Sequence, residues 1–281
     1  MNYELVRNFA SEIVTQTYGE KDAMLYALGV GAGADPADRA FVYEKGLKAL
    51  PTFAVTLGRE KPWLTDSRYG LNLVKMLAAE QSTEIHRPLD AAATIKSQMT
   101  VEMLHDKGEG RGALMTMKRA LSDAETGEPI ADVRITVFLR GDGGYGGPSD
   151  PAPTPHMLPE RAADVVAAYQ ISPDQAVLYR LASGDLNPIH IDESVASAAG
   201  LPGPILHGLC SYGIACRHVL GAVANNDPAT IQRFDARFTS PVYPGDLIVT
   251  EIWKGEGEAS FRCRVPKRNA IVLNNGYAKL R

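Results

Sequence analysis

Apolar and polar residues alternate with a period of two in six segments, arranged as two groups of three. Residues 95–104, 112–121 and 131–139 form the first group, and 247–253, 260–265 and 270–277 the second. β-Branched side chains are frequent in them and Gly turns separate them, which predicts antiparallel strands with one face buried. Ahead of the second group, Leu209, Tyr212, Gly213, Cys216, Val219, Leu220 and Val223 recur at helical spacing. Small residues (Gly208, Ser211, Gly213, Ala215) interrupt this predicted helix and would let a curved sheet close around it. The matching helix of the first half is expected at residues 71–80. One helix followed by an antiparallel meander is an α+β unit, and two such units side by side would form one continuous structure.

The break between the groups is GDGGYGGPSDPAPTP, residues 141–155, dense in Gly and Pro. It separates an expected first unit, residues 1–146, from a second, residues 161–281, through a linker at 147–160. The halves look related. Ala23-Met24-Leu25-Tyr26-Ala27-Leu28 matches Ala176-Val177-Leu178-Tyr179-Arg180-Leu181 at an offset of 153 residues, and the same offset pairs Gly31 with Gly184 and Pro88 with Pro241.

Composition narrows the choice of function. The 281 residues are 45% hydrophobic and 22% charged, as in an ordinary globular chain. A net charge of −4 gives no footprint for nucleic acid or an anionic membrane. Cys210, Cys216 and Cys263 have neither disulfide-framework nor zinc spacing, so reduced packing residues are expected. The opening MNYELVRNFA has an early Glu4 and no apolar run, unlike a signal peptide. Residues 195–216, within the longest stretch without Asp, Glu, Lys or Arg, contain Leu201-Pro202-Gly203-Pro204, which would break a spanning helix. Ala278-Lys279-Leu280 would resemble a peroxisomal address, but Arg281 follows it, so the cytoplasm is expected.

Candidate chemistry lies in YRLASGDLNPIHIDESVASAAGLPGPILHGLC, residues 179–210. Gly184 and Pro188 bracket a tight turn that carries Asp185, Asn187 and His190. Asp192 is a good N-cap for a short helix through Ala199, closed by Gly200. A carboxylate and an imidazole five residues apart across a rigid turn can reach one water, a pairing suited to taking one proton and delivering another. Alone, such a pair more often caps a turn and bonds a carbonyl. His207-Gly208 at the start of the main helix adds unpaired backbone N–H groups, and Gly208 leaves room for an acyl carbonyl. Acid, base and oxyanion donor together are what enoyl-thioester hydration requires. Gly208 could equally serve close packing of the helix.

GDLNPIHID followed by PILHGLC resembles the signature of the MaoC-like, or hydratase 2, enoyl-CoA hydratases. YALGVGAG, PTFAV, DKGEG, FLRGDGGYGG and RFTSPVYPGD extend the resemblance over nearly the whole chain. It implies a double hot-dog fold, an acyl-CoA thioester partner, no metal and no cofactor. The implied reaction converts trans-2-enoyl-CoA to (3R)-hydroxyacyl-CoA, or the reverse, and a homodimer is expected. The resemblance gives Asp185 and His190 the acid–base roles, turns the Gly208 N–H to the thioester oxygen, and sets Asn187 on the same substrate-facing turn. Lys107 in DKGEG and Phe238 in RFTSPVYPG match positions that contact the CoA ester.

Some residues depart from the family pattern. HIDE stands where proline often follows the aspartate, and the leader YRLASGD is a residue longer than the commoner form. Ala78-Ala79-Glu80-Gln81 stands where His-Gly often precedes Glu-Gln, so Ala78 and Ala79 are expected on the acyl side. The offset sets Ala32, Ala34 and Ala37 opposite Asp185, Asn187 and His190, so the first half is expected to shape the acyl pocket without chemistry.

Other function classes fit less well. GDGGYG, residues 141–146, is a literal G-x-G-x-x-G, but PSDPAPTP follows where a dinucleotide site needs a helix. A hot-dog thioesterase would place a carboxylate on the central helix, and residues 209–224 contain none. A non-catalytic acyl-binding module would have no reason to keep Asp185, His190 and Gly208 together.

Overall fold

A computed structural model describes residues 1–149 and 154–281. The first half supplies α1 (Tyr3–Arg7), β1 (Val14–Tyr18), α2 (Glu20–Gly29), β2 (Met76–Ile85), β3 (Ala93–Asp106), β4 (Ala113–Asp123) and β5 (Pro129–Leu139). The second supplies β6 (Val165–Gln170), α3 (Gln175–Ser183), α4 (Glu193–Ala198), α5 (Gly208–Val223), β7 (Ile231–Phe238), β8 (Leu247–Lys254), β9 (Glu258–Val265) and β10 (Ala270–Leu280). These ten strands pair antiparallel in one sheet, ordered β1-β3-β4-β5-β2-β7-β10-β9-β8-β6. The six alternating segments fall on β3, β4, β5, β8, β9 and β10. The two halves meet at β2 and β7, from Glu80 opposite Arg237 to Glu84 opposite Arg233.

α5 is the central helix, as its spacing predicts. Nine of its residues are buried, from Cys210 to Leu220, so it has almost no solvated face. Gly213 lets the first half close on it, since a Cβ there would stand 2.4 Å from Val30 Cγ1. Tyr212 donates its hydroxyl proton to the Phe234 carbonyl on β7 and its oxygen accepts from the Thr83 hydroxyl on β2, so the helix is pinned to both half-sheets. The repeat is also real in space. α2 packs on α3, the Tyr26 and Tyr179 rings meet edge-on at 6.1 Å, and Gly29 keeps the crossing close to Ala182.

The helix expected at residues 71–80 is not there. A 3₁₀ turn, Leu73–Lys75, leads directly into β2, which pairs with β5 from Met76 opposite Leu139 to Ile85 opposite Ala131. Helix-favouring Leu, Ala and Glu give way to two flanking strands that need partners, a tertiary override of propensity. The first half's counterpart to α5 is instead the buried 3₁₀ turn Pro51–Thr56, packed on α5, β2 and β5. Its Thr52, Val55 and Thr56 are β-branched, and Gly58, in the left-handed region at φ 59°, ends it.

The G-x-G-x-x-G stretch has a structural use. Asp106, at the end of β3, is buried and accepts the backbone N–H groups of Gly108 at 2.9 Å, Gly144 at 2.7 Å and Gly146 at 2.9 Å. Burial alone would raise its pKa, but these donors hold it below the ordinary carboxylate value. The glycines thus wrap a carboxylate of the protein itself. Within the expected linker, residues 150–153 lie outside the described residues. Beyond them His156 is fastened to the second half, its ring to Ser260 and its carbonyl to Asn275.

Two glycines of α5 should respond oppositely to a methyl group. Gly213→Ala should lower stability by about 1–3 kcal/mol through overpacking against Val30. At exposed Gly221 the nearest atom to an added Cβ is Asn226 Oδ1 at 3.4 Å, so Gly221→Ala should add up to about 1 kcal/mol of helix propensity. Urea midpoints moving in the same direction for both variants would contradict this packing.

Candidate active site

The chain leaves α3 through Gly184, whose left-handed φ of 66° turns it sharply. Ser183 Oγ accepts the Asp185 N–H, Asp185 Oδ1 accepts the Asn187 N–H at 3.2 Å, and Asn187 Oδ1 accepts the Ile189 N–H at 3.2 Å. These successive side-chain bonds replace a regular ladder and set the turn. Asn187 thereby caps a 3₁₀ turn, Pro188–His190, that carries the imidazole. Asp192 caps α4 as expected, through Ser194 and Val195, and Gly200 follows it at φ 75°.

His190 is half-buried, and its Nδ1 lies 2.8 Å from the Ile205 carbonyl. With the proton assigned to Nδ1 by that bond, Nε2 carries the free lone pair. Burial lowers the His190 pKa below the ordinary value, opposed by the Ile205 carbonyl and by Asp185, so the ring is neutral at neutral pH. One donor atom each from Asp185, His190 and His207 lies within 4.8 Å of the others. Such a trio could hold a cation, but each member already bonds protein backbone, at the Asn187 N–H, the Ile205 carbonyl and the Asp185 carbonyl respectively. Asp185 and His190 each keep one side-chain atom that these bonds leave free.

The start of α5 adjoins this trio through His207. His207 is its N-cap residue, but the His207 side chain does not cap it. A helix of 16 residues therefore starts with open donors at Gly208. A Cβ on Gly208 would meet the Phe238 ring at 3.1 Å, so Phe238 covers this glycine.

Register relates the remaining expected residues to that point. The β2–β7 ladder ends at Glu80 opposite Arg237, so Ala79 and Phe238 leave it at the same end. The shift in β2–β5 register between Ala78 and Glu80 marks a bulge there. Lys107 follows Asp106, which lies across from Ala113, and Ala113 from Leu139, and Leu139 from Met76. It therefore sits at that same end of the sheet, but four strand spacings of about 4.8 Å separate it from β7, roughly 19 Å in all.

Nothing in the sequence points to Arg59 or Arg180. Arg59 of the first half reaches the Ser183 carbonyl at 3.4 Å, and Arg180 on α3 reaches the Asn187 carbonyl at 3.5 Å. His207 was legible only as the neighbour of Gly208. The first half's equivalent turn also differs from expectation. Asp35 caps Pro36–Phe41 as Asn187 caps Pro188–His190, so local alignment slips by one residue. Asp35 and Asp38, rather than Ala34 and Ala37, thus stand opposite Asn187 and His190. Asp38 is buried in an ion pair with Arg217 of α5 at 2.6 Å.

Family models match both halves: a MFE-2 hydratase 2 N-terminal domain at residues 16–141 and a MaoC like domain at residues 156–275. The chain is 37% identical over 266 residues to a probable enoyl-CoA hydratase 2 of Dictyostelium discoideum, covering 92% of this chain and 89% of that protein. It is 36% identical to the peroxisomal multifunctional enzyme type 2 of Mus musculus over 95% of its own length but only 37% of that protein. A crystal structure of a MaoC-like dehydratase from Phytophthora capsici superposes with a TM-score of 0.88 at 32% identity, covering 100% of this chain and 99% of that one. A Mycobacterium tuberculosis protein described as a double hotdog fold has a TM-score of 0.57 at 15% identity, over 99% of this chain and 97% of its own, a likeness of fold.

Burial also lowers the pKa of His207, and it pushes His218 of α5, bonded to Thr250, down to about 4. Unfolding restores an ordinary value near 6.5, so below that pH the unfolded chain binds protons the folded chain refuses. Stability should be level above pH 6.5 and fall as pH drops toward 5, by up to about 1.4 kcal/mol per pH unit for each such histidine. His218→Gln should flatten that slope by about one histidine's share. A slope unchanged in this variant would show that His218 is not held neutral.

Proposed function

The chain belongs to the MaoC-like, hydratase 2 family of enoyl-CoA hydratases, and from that premise we propose that it adds water to trans-2-enoyl-CoA through Asp185 and His190. The observation that carries this reading is the closeness of Asp185 and His190, which each place a ligand atom within 4.8 Å of the other and of His207, the N-cap residue that precedes Gly208. A water between Asp185 and His190 would lose a proton to one of them as its oxygen bonds C3. A proton would return to C2, while the Gly208 N–H receives the charge that builds on the thioester oxygen. Dehydration runs through the same transition state. The product is the (3R)-hydroxyacyl-CoA.

Residues 161–281 carry the chemistry in this proposal, residues 1–146 shape the acyl pocket, and residues 147–160 join them. The Asp38–Arg217 ion pair, which occupies the first half's equivalent turn, supports the division. Asn187 orders the turn, Phe238 covers the ester side, and Lys107, about 19 Å along the sheet end, suits the far part of a long CoA ester. A homodimer belongs to the same reading, supported by the exposed Val74 and Leu77 beside β2. So does the cytoplasm, supported by three free, buried cysteines. Among the described residues no helix is long and apolar enough to cross a membrane.

Asp185→Asn and His190→Ala should each lower kcat by about 10²–10⁴-fold with little loss of stability. Gly208→Val should block the carbonyl's approach to the N–H, which the variant keeps, and slow the folded enzyme by about 3 kcal/mol in barrier height, as much as losing one oxyanion donor. Near-normal turnover by a folded Asp185 or His190 variant would end the acid–base reading. Normal turnover by Gly208→Val would leave that glycine a packing role against Phe238. Coupling the assay to a dehydrogenase specific for the (3S) epimer should give no rapid NADH formation.

Ala78→Phe should penalise long or branched enoyl-CoAs more than crotonyl-CoA. Ala78 is exposed on β2, and the bulge beside it lies where the β2–β7 ladder ends next to Phe238, so the acyl chain is proposed to pass there. A filled apolar pocket discriminates by about 1–3 kcal/mol, so relative kcat/KM should shift by about 10–200-fold. An unchanged chain-length profile in the folded variant would mean that the acyl chain runs elsewhere.

A further inference from the structure

His207 takes no part in the proton transfers proposed above, yet it touches both groups that do. It is 1% exposed. As N-cap residue of α5 it could have capped the helix, but its side chain turns inward instead. Its ring lies on that of His190, with centroids 3.6 Å apart and planes inclined by 26°. Its Nε2 lies 3.3 Å from the Asp185 carbonyl, and its Nδ1 is buried without a partner. Only the Nε2–H tautomer can use the Asp185 carbonyl, so the orphaned atom is the Nδ1 lone pair. A phenyl ring would pack there without orphaning a nitrogen. What the imidazole adds is the single N–H on Asp185.

We propose that His207 is a positioning residue for the acid–base pair, its N–H tying down the Asp185 main chain and its ring face setting the plane of His190. The inference rests on the acid–base reading of Asp185 and His190. Residues 205–207 act as one strap. The Ile205 carbonyl takes His190 Nδ1, the Leu206 N–H is fixed to the Val242 carbonyl at 2.7 Å, and the His207 ring covers the face of His190. Edge and face of His190 are therefore both held, and its Nε2 has one direction left. The Tyr179 ring, 5.0 Å away on α3, backs His207 from behind.

His207 can serve only as a neutral ring. The charged or titratable groups around the two histidines are Asp185 on the turn, Arg180 and Tyr179 on α3, and Glu193 at the start of α4, which lines one cavity with His190. Burial and the neighbouring His190 both disfavour a proton on His207, and Asp185 opposes them without prevailing. A neutral stacked ring also keeps water from one side of His190 and so favours its uncharged, proton-accepting form.

The test uses the whole chain with His207→Gln, which keeps an N–H but loses the ring, and His207→Phe, which keeps the ring but loses the N–H. Both are made alone and combined with His190→Ala. Each single variant should lose about 10–100-fold in kcat with KM within about threefold, the size expected when a reacting group is misplaced by about 1 Å. In His207→Gln the acid limb of the kcat/KM profile should move to higher pH as water reaches His190, and in His207→Phe it should stay. On the His190→Ala background, His207→Gln should cost no more than about threefold, because no ring remains to be positioned.

A full multiplicative loss in the double variant, or normal kcat in both folded single variants, would overturn the positioning role and leave the acid–base reading intact. Near-normal turnover by His190→Ala alone would instead sink the acid–base reading and the role with it. A check independent of any variant's folding is the ¹⁵N spectrum of the wild-type imidazoles. His207 should remain a neutral Nε2–H tautomer from pH 8 to pH 5, and a ring that titrates near 6.5 or carries its proton on Nδ1 would overturn the proposal.

Discussion

A helix that is apolar on nearly every face has to be enclosed, and α5 can be enclosed only because β2 and β7 join two half-sheets into one. Burial of such side chains gives about 25 cal/mol per Å² of apolar surface, but only where both partners arrive. The first half contributes Val30, Tyr26 and the Pro51–Thr56 turn to the walls around α5, and Thr83 to its Tyr212 hydroxyl. The second half contributes the Phe234 carbonyl and the strands behind it. Without the β2–β7 ladder, α5 would face water along one side.

Enclosing the helix also determines where its chemistry lies. The buried body of α5 fixes the position of its first turn, where Gly208 is exposed. The strap of residues 205–207 and the turn after α3 meet there, bringing Asp185, His190 and His207 together beside the helix start. Asp185 and His190 are then set by local bonds that need no ladder: Ser183 to the Asp185 amide, Asp185 to the Asn187 amide, and Ile205 to the His190 ring. A rigid scaffold thus carries a short irregular segment whose polar groups are satisfied from within.

The two halves show one plan put to different uses. α2 and α3 cross as equivalents, with matching tyrosines and with Gly31 and Gly184 both in the left-handed region. Beyond those glycines the second half presents an imidazole at the end of its 3₁₀ turn. The first half presents Asp38, which is consumed by Arg217 from α5. The same local frame therefore supports an open site in one half and a closed ion pair in the other.

Sequence by itself determined the features that local physics decides. Alternation located six strands, helical spacing located α5, Asp192 and Gly200 bounded α4, and the repeat paired α2 with α3. The turn carrying Asp185, Asn187 and His190 was legible because proline, glycine and side-chain caps act within a few residues. Tertiary structure alone decided that residues 76–85 are a strand, since the decisive partners, β5 and β7, lie roughly 50 and 150 residues away. It decided too that the glycines of 141–146 wrap Asp106, that Asp38 rather than Ala37 answers His190, and that His207 stacks on His190. Each depends on atoms brought together by the closed sheet, and neither spacing nor propensity carries information about such distant contacts.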